Sequence, residues 1–386
     1  MGRFARLATD FGSVGEERAK LCRILVVIPS RAEGSRVLGL TGDLKREARS
    51  QPQIEVDVLV VLDGGEETVE ARLRAEGTHV LVKSPAGPSK GAALAFATAA
   101  LDRAGALIDR AEYILVFDAD MRLPEGWLGE LKGEIPSHTD VFQLPVRPAG
   151  EPVPGAARVE AFSVAVATRV EDLVRDARRL PIRLRGKAMG FSPRAWRLGP
   201  AACTRTLTED SEATLALLAR GIRIRALRGP VAFDDPSSGA SAMASPRARW
   251  LAGHWKLAFT GWRDLLRVGL RRPMAGFVIA ADLFLRPRLG VFGFLLLVSL
   301  FSSISVIRGR DNFALLALFA LAWGTLVLEF GYLRAARRLI GFPPEVPRVR
   351  MLDVLAAAGV WSLAIARAVA APRRWHRARE ERIDRL

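Results

Sequence analysis

The sequence predicts an α/β domain built on a mostly parallel sheet, followed by an α-helical membrane region. In the first part of the chain, short apolar runs that end in acids alternate with helical segments. In the second part, two apolar runs are long enough to cross a bilayer. The 386 residues are 50% hydrophobic and the mean hydropathy is +0.16, which is high for a purely soluble protein. A soluble part followed by a membrane part is therefore expected.

Charge and cysteine content narrow the class of protein. The chain has 57 Lys+Arg against 41 Asp+Glu, a net charge of +16, which suits an anionic membrane face or a nucleic acid. The surplus lies near the apolar runs, so we expect membrane lipids and no nucleic acid as partners. Cys22 and Cys203 are the only cysteines, which excludes a disulfide framework or a zinc cluster.

Residues 1–21 form an N-terminal extension. Charged residues interrupt its short apolar runs, so it resembles neither a signal peptide nor a membrane span. We expect the N-terminus to remain in the cytoplasm.

Four buried strands are predicted from continuous apolar runs. They cover residues 24–29, 56–62, 80–82 and 113–117. Acids follow three of them, namely Glu33, Asp63, and the pair Asp118 and Asp120. Ligands of open parallel sheets bind beyond the carboxyl ends of the strands, so these acids are candidate site residues.

Asp118-Ala119-Asp120 is the strongest single motif. Two carboxylates one residue apart offer hard oxygen ligands to a divalent cation that also carries a diphosphate. The alternative is a polar turn after a strand, since Asp is common in turns.

A glycine-rich loop at residues 87–94 opens an alanine-rich helix that is predicted to end near Leu101. Free backbone N–H groups at its start, together with Lys90, suit phosphate oxygens. The spacing differs from that of a P-loop.

Several motifs in this order resemble the inverting family 2 glycosyltransferases with the GT-A fold, in a cellulose synthase-like or ceramide glucosyltransferase-like branch. The resemblance covers residues 22–260. It rests on residues 28–33 (IPSRAE), 63–65 (DGG), 90–94 (KGAAL), 118–120 (DAD), 186–191 (GKAMGF), 208–210 (TED) and 249–250 (RW).

The resemblance implies a role for each matching residue. The donor would be bound by Pro29, Ser30, Glu33, Asp63, Lys90, Asp118, Arg249 and Trp250. The acceptor would be bound by Gly186, Met189, Gly190 and Trp250. Asp118 and Asp120 would hold Mn²⁺ or Mg²⁺. Asp210 would be the catalytic base, with Glu209 beside it.

Two of these assignments have a simpler alternative. Thr208 could be only a helix N-cap, with Glu209 and Asp210 favoured by the dipole of a helix over residues 211–220. Arg249 and Trp250 also suit an interfacial helix. Pro246 stands where processive relatives have Gln, so transfer of a single sugar is at least as well supported as polymerisation.

The C-terminal part is predicted to associate with the membrane. Residues 261–288 are predicted to form an interfacial helical linker. Within it, residues 273–285 are apolar apart from Asp282 and are flanked by arginines on both sides. Residues 289–307 and 313–333 are predicted spans. The arginine-rich loop that follows belongs in the cytoplasm by the positive-inside rule.

Residues 334–386 comprise that loop, a third hydrophobic segment at 351–371 and a basic tail. Asp353 and Arg367 interrupt the segment, and spanning would export the tail, so an interfacial or re-entrant helix is favoured over a transmembrane one. The expected location is the cell membrane, multi-pass, with the catalytic domain in the cytoplasm.

The predicted function is transfer of a sugar from a nucleotide sugar, by the resemblance a UDP-sugar, to a lipid or glycan acceptor. A processive polysaccharide synthase is the alternative within the family. A sugar nucleotidyltransferase or a non-catalytic nucleotide-binding scaffold is the alternative of another class; neither needs a base such as Asp210.

Overall fold

The computed structural model describes residues 23–104, 107–150, 155–234, 240–284 and 349–370, with scattered residues between 298 and 335. The strands are β1 (Arg23–Ser30), β2 (Glu55–Asp63), β3 (His79–Lys83), β4 (Tyr113–Val116), β5 (Met121–Arg122), β6 (Val141–Gln143), β7 (Val146–Pro148), β8 (Met189–Phe191), β9 (Ile224–Ala226) and β10 (Ala232–Asp234). The helices are α1 (Ser35–Ser50), α2 (Glu67–Ala75), α3 (Lys90–Ala104), α4 (Leu107–Arg110), α5 (Trp127–Glu134), α6 (Ala156–Val166), α7 (Leu173–Ala177), α8 (Pro193–Leu198), α9 (Glu209–Ala219), α10 (Ala240–Thr260), α11 (Trp262–Arg271), α12 (Pro273–Phe284) and α13 (Met351–Ala370). A π-helical stretch, Ala167–Asp172, joins α6 to α7, and Pro200–Ala202 forms a 3₁₀ turn.

Seven of the described strands form one sheet in the order β3-β2-β1-β4-β8-β6-β9. β3, β2, β1 and β4 are parallel, whereas β8 is antiparallel to its neighbours β4 and β6. The prediction of a mixed, mostly parallel α/β sheet is confirmed. Because the parallel strands share one direction, their carboxyl ends and the acids after them lie along one edge.

Helices cover both faces of the sheet. Ile24, Val26 and Ile28 of β1 pack with α1, α2 and α5, while Leu25 and Val27 face the other side and pack with α3, α8 and α9. This alternation follows from the two-residue period of a strand. It explains why β1 reads as an uninterrupted apolar run.

Two buried acids of α1 hold the segment that follows Asp120. Asp43 pairs with Arg122 at 2.9 Å, and Glu47 accepts hydrogen bonds from the backbone N–H groups of Gly126 (2.9 Å) and Leu128 (3.3 Å). The Glu47 carboxylate thus satisfies free donors at the start of α5 and lies at the positive end of its dipole. The sequence analysis did not predict this contact.

A second, three-stranded sheet lies beside the first, in the order β5-β10-β7. It pairs Asp234, the last residue of β10, with Met121, which directly follows Asp120. Asp234 is thereby brought to the carboxyl edge of the main sheet, far from its position in the sequence.

Three helices after the sheet extend the domain. α11 and α12 pack closely because both have glycine at their crossing: a Cβ on Gly276 would lie 2.5 Å from Cα of Gly269. The predicted surface helix over 273–285 is present as α12. Its Asp282 is buried and pairs with Arg175 at 2.6 Å, so this acid does not lie on the exposed apolar face.

α13 is one uninterrupted helix of 20 residues, and its interfacial or re-entrant placement in the membrane stays a prediction. Asp353 accepts a hydrogen bond from Gly155 N–H (2.6 Å), and Arg367 donates one to Ser245 Oγ (2.7 Å). Both charges therefore face the protein and do not argue against contact with lipid on the opposite face.

Among the described residues, one stretch is long and apolar enough to cross a membrane, Leu352–Val369 within α13. Length and composition alone support this, and the multi-pass arrangement is not shown. Most of the predicted span 289–307 and about half of the predicted span 313–333 lie outside the described residues.

Candidate active site

The Asp-x-Asp pair lies just beyond β4, at the carboxyl edge of the sheet. Lys90, the first residue of α3, donates hydrogen bonds to Asp118 Oδ1 and to the carbonyl oxygen of Gly186. Burial would raise the pKa of Asp118, but the positive charges of Lys90, Lys187 and Arg249 outweigh it and lower that pKa. Asp118 is therefore an anion held in a basic surrounding.

Asp120 has the opposite electrostatic environment. Burial, together with the charges of Asp118 and Asp234, raises the pKa of Asp120 to about 7. Lys187 forms an ion pair with Asp234 and lies near both other acids. The positive charge of Lys187 thus acts on all three carboxylates, those of Asp118, Asp120 and Asp234.

Asp118 and Asp120 fit a divalent cation only if a substrate diphosphate supplies further ligands to the ion. Within the described residues, no group of three His, Cys, Asp or Glu side chains is arranged to hold a metal ion alone. Mg²⁺ bound with substrate phosphates needs only one or two carboxylates from the protein. The ammonium group of Lys187 already supplies a positive charge beside these carboxylates. Asp118 and Asp120 would hold the divalent cation together with a diphosphate.

Glu209 and Asp210 are the first two residues of α9, and their charges act on Lys90 together with that of Asp118. The side chain of Thr208 makes no capping hydrogen bond, so the structure does not show the simple N-cap alternative. Asp210 faces the turn at Gly186, where a Cβ would lie 3.6 Å from Asp210 Oδ2. Gly186 also has a φ of 81°, which favours glycine. Its small size leaves room beside the Asp210 carboxylate.

Arg249 of α10 joins the same cluster. Burial lowers its pKa, and the charges of Glu209, Asp118 and Asp210 act against that effect. Trp250, the next residue, is 43% exposed and is available to a ligand or to lipid.

The residues after β1 and β2 lie at the same edge. Ser30 is buried, and its hydroxyl has no hydrogen-bond partner in the structure. Asp63 accepts a hydrogen bond from Gly87 N–H (2.6 Å), and its other oxygen is 3.6 Å from Arg31. Pro29 is in β1, and Glu33 follows it with its carboxylate 3.8 Å from Arg36. Binding of a donor nucleotide by these residues stays a prediction.

Met189 requires a correction, because the structure places it, with Gly190, inside β8. Met189 is 1% exposed, and a Cβ on Gly190 would collide with the ring of Phe142. Packing inside β8 explains why a large apolar residue stands at 189 and a glycine at 190. The buried side chain of Met189 offers no contact to an acceptor, so we no longer assign acceptor binding to Met189, whereas acceptor binding at the backbone of Gly190 stays a prediction.

His254 is a site neighbour that the sequence analysis missed. Its Nδ1 lies 2.7 Å from the carbonyl oxygen of Trp250, so Nδ1 carries the proton and donates it. Nε2 then accepts from Ser211 Oγ (3.2 Å) and lies 3.4 Å from Arg183. This contact ties α10 to the first turn of α9, next to Asp210.

Lys187 and Asp234 were also missed as site residues. Lys187 lies within the segment singled out for acceptor binding, but Asp234 stands in a short strand without a motif around it. Only the pairing of β10 with β5 brings it near Asp120.

No known protein-family profile matches the sequence, and no curated protein matches it. Solved structures do resemble the fold. A mannosyltransferase from Pyrobaculum calidifontis, in complex with GDP-Man and Mn²⁺, is 13% identical with a TM-score of 0.47 and covers 93% of this chain and 94% of its own. S. aureus TarS 1-349 is 16% identical with a TM-score of 0.43, covering 88% and 90%.

Glucosyl-3-phosphoglycerate synthase from Mycobacterium tuberculosis, in complex with Mn²⁺, UDP and glucosyl-3-phosphoglycerate, is 15% identical with a TM-score of 0.34, covering 56% and 73%. All three TM-scores are below 0.5 and all three identities are below 20%. This likeness by itself assigns neither a family nor an activity to the chain.

Proposed function

We propose that this chain is an inverting glycosyltransferase with the GT-A fold, which moves a sugar from a nucleotide sugar to a lipid or polysaccharide acceptor. The donor is a UDP-sugar, and Mn²⁺ or Mg²⁺ is required. One observation carries the proposal: Lys90 donates hydrogen bonds to Asp118 and to the carbonyl oxygen of Gly186, and Gly186 in turn lies beside the separate carboxylate of Asp210. The two groups can therefore serve the leaving group and the acceptor respectively.

The reaction balances with these residues. The acceptor oxygen forms a bond to the anomeric carbon of the sugar, the bond from that carbon to the diphosphate oxygen breaks, and the acceptor proton passes to Asp210. Lys90 and Arg249 stabilise the negative charge that develops on the diphosphate. A bound divalent cation would add Lewis-acid stabilisation of the same charge.

The proposed site discriminates against the alternatives of another class. A sugar nucleotidyltransferase or a nucleotide-binding scaffold needs no base beside the acceptor, whereas this chain has the carboxylate of Asp210 beside Gly186. Incubating the purified protein in lipid with a panel of radiolabelled nucleotide sugars, with and without Mn²⁺, tests the proposal. Failure to transfer any sugar, with intact nucleotide binding, would favour the scaffold.

Asp120→Asn tests the metal assignment. Because Asn carries no charge, we expect this variant to lose transfer and to bind UDP with much weaker Mn²⁺ dependence, while its melting temperature stays near that of the wild type. Asp109→Asn, at an exposed site on α4, is the control. Calorimetry that shows unchanged Mn²⁺-dependent UDP affinity in Asp120→Asn would refute the assignment.

We also propose that the enzyme acts at the cytoplasmic face of the cell membrane. The surface formed by α11 and α12, here called the apolar hairpin, exposes Trp262, Leu266, Leu270, Met274 and Phe277. Four arginines of the same hairpin are exposed as well, namely Arg263, Arg267, Arg271 and Arg272. An apolar surface bordered by arginines suits an anionic bilayer.

A further inference from the structure

Lys187 lies near Asp118, Asp120 and Asp234, here called the acid cluster. Its ammonium group forms an ion pair with Asp234. Burial would lower the pKa of Lys187, but Asp234, Asp118 and Asp120 together raise it. The ammonium group is therefore a counterion to three carboxylates, two of which are the proposed ligands of the divalent cation.

The backbone of Lys187 is fixed from the opposite side. Gln143 is 2% exposed, and its Nε2 donates hydrogen bonds to the carbonyl oxygens of Lys187 (2.9 Å) and Ala188 (3.1 Å). Its Oε1 accepts a hydrogen bond from Arg185 N–H at 2.9 Å. The main chain on both sides of Lys187 is thus held to β6, and only the side chain is free to change position.

A divalent cation and this ammonium group cannot share the cluster at low cost. Like charges a few ångströms apart repel strongly inside a protein, where the effective dielectric constant is well below that of water. An ammonium group that leaves its carboxylates inside a protein needs another anion, because a buried unpaired charge is costly. The diphosphate of the incoming nucleotide supplies one.

We propose that Lys187 is a resident counterion which the divalent cation displaces, and which makes binding of the cation depend on binding of the nucleotide. The bare ion must compete with the ammonium group. The ion that arrives with a nucleoside diphosphate does not, because the phosphates provide a new partner for Lys187. This inference rests on the proposed function and assigns Lys187 a positioning role.

Binding of Mn²⁺, measured from the free-ion electron paramagnetic resonance signal, tests the coupling directly and without turnover. For the wild type, Mn²⁺ affinity should rise at least about tenfold when saturating UDP is present. For Lys187→Met, affinity for Mn²⁺ alone should be about tenfold tighter than in the wild type, and the effect of UDP should shrink by a similar factor.

Two further variants separate this role from general effects of charge and folding. Lys187→Arg keeps the positive charge and should retain the coupling of the wild type. Lys45→Met removes a lysine of similar exposure that pairs with Glu76 at 3.4 Å, outside the acid cluster and the proposed donor site, and should also behave like the wild type. Melting curves for each variant show whether the protein is folded at the temperature of the titration.

The outcomes distinguish the inference from the function on which it rests. If the wild type binds no Mn²⁺ even with UDP or GDP, the proposed metal site itself is wrong. If the wild type shows the coupling and Lys187→Met keeps it unchanged, the metal site stands and the role of Lys187 is refuted. Loss of coupling in Lys45→Met as well would also refute the role of Lys187.

Discussion

Asp210 is the residue on which the proposed chemistry depends most. It lies in the first turn of α9, where an acid also favours the helix dipole, so its position alone permits two roles. Its carboxylate faces the Gly186 turn and accepts a hydrogen bond from the neighbouring Ser211 N–H at 2.7 Å. One oxygen thus makes a local contact, and the other remains directed toward the space beside Gly186.

Asp210→Asn separates these two roles. If Asp210 is the base, the rate of single-turnover transfer at saturating donor should fall roughly 10²–10⁴-fold, because the proton acceptor is lost, while donor affinity changes little. If it only favours the start of the helix, Asn costs about 0.3–1 kcal/mol in stability and the rate stays near that of the wild type. A rapid-quench assay together with a melting curve checks both quantities.

Glu209, one residue earlier, should make stability depend on pH. Burial raises the pKa of Glu209 from 4.5 to about 7, with Asp210 adding to the rise and Lys90 opposing it. Asp118 and Arg249 also face this group. A carboxyl group that holds its proton more tightly in the folded state stabilises the protein at low pH. This contribution is complete below pH 4.5 and is lost as the pH rises through about 7.

Glu209→Gln tests that prediction, because Gln is neutral at every pH. Between pH 4.5 and 7 the melting temperature of the wild type should fall relative to that of Glu209→Gln, and above pH 7 the variant should be the more stable protein. Equal pH dependence for the two proteins would show that Glu209 titrates normally.

At the scale of single residues, motifs predicted the acids that follow strands, because their spacing along the chain is fixed by local structure. Asp118 and Lys90 are in contact as such a site requires. Asp234 and Lys187 could not be paired from sequence, since a crossing of distant segments brings them together. Met189 was misassigned because a three-residue strand is too short to show a two-residue period.

At the scale of elements, the buried parallel strands were predicted to within one residue at each end. β1 was expected at 24–29 and is Arg23–Ser30, and β2 was expected at 56–62 and is Glu55–Asp63. Continuous apolar runs give a strong signal because both faces of the strand are covered. The small sheet of β5, β10 and β7 was missed, since strands of two or three residues carry no pattern of their own.

The contact between α1 and α5 gives a prediction at this scale. Glu47→Ala would leave the N–H group of Leu128 without an acceptor in a buried place, which costs about 1–3 kcal/mol, whereas the N–H group of the exposed Gly126 can bind water instead. We expect a loss of roughly 1–3 kcal/mol in the free energy of unfolding, measured by urea denaturation. Glu67→Ala, at an exposed acid in the first turn of α2, is the control. A loss no larger than in this control would show that Glu47 is not needed to cap α5.

At the scale of the whole molecule, the catalytic edge and the apolar surfaces belong to one connected unit. α10 contributes Arg249 to the site, contacts α13 along its length, and leads directly into the apolar hairpin of α11 and α12. Arg271 of the hairpin donates a hydrogen bond to the carbonyl oxygen of Ala219 in α9 at 2.6 Å. Membrane contact through the hairpin would therefore hold the proposed base helix near the lipid surface, where a lipid acceptor is found.

Composition predicted that a membrane part exists, but not which elements form its surface. α12 has 12 residues, about 18 Å of helix at 1.5 Å per residue, which is too short to span a hydrocarbon core of about 30 Å. In the sequence, Asp282 interrupts the apolar character of α12. In the structure, the bidentate ion pair with Arg175 directs this acid toward the protein. Only the packing of α12 against α11 shows which side chains remain outside.

The membrane-facing role of the apolar hairpin is testable with spin labels in the full chain. Leu270 and Phe277 are 76% and 69% exposed. A cysteine is introduced at each position in a Cys22→Ser background, which leaves the buried Cys203 unchanged. Each introduced cysteine carries a nitroxide label, and the protein is reconstituted in anionic nanodiscs. Because oxygen concentrates in hydrocarbon and charged nickel chelates stay in water, both labels should be accessible to oxygen and protected from nickel. Glu67→Cys, on the exposed face of α2, should show the reverse. Labels at Leu270 and Phe277 that relax as fast with nickel as the label at Glu67 would place the hairpin in water and leave its apolar face to another partner.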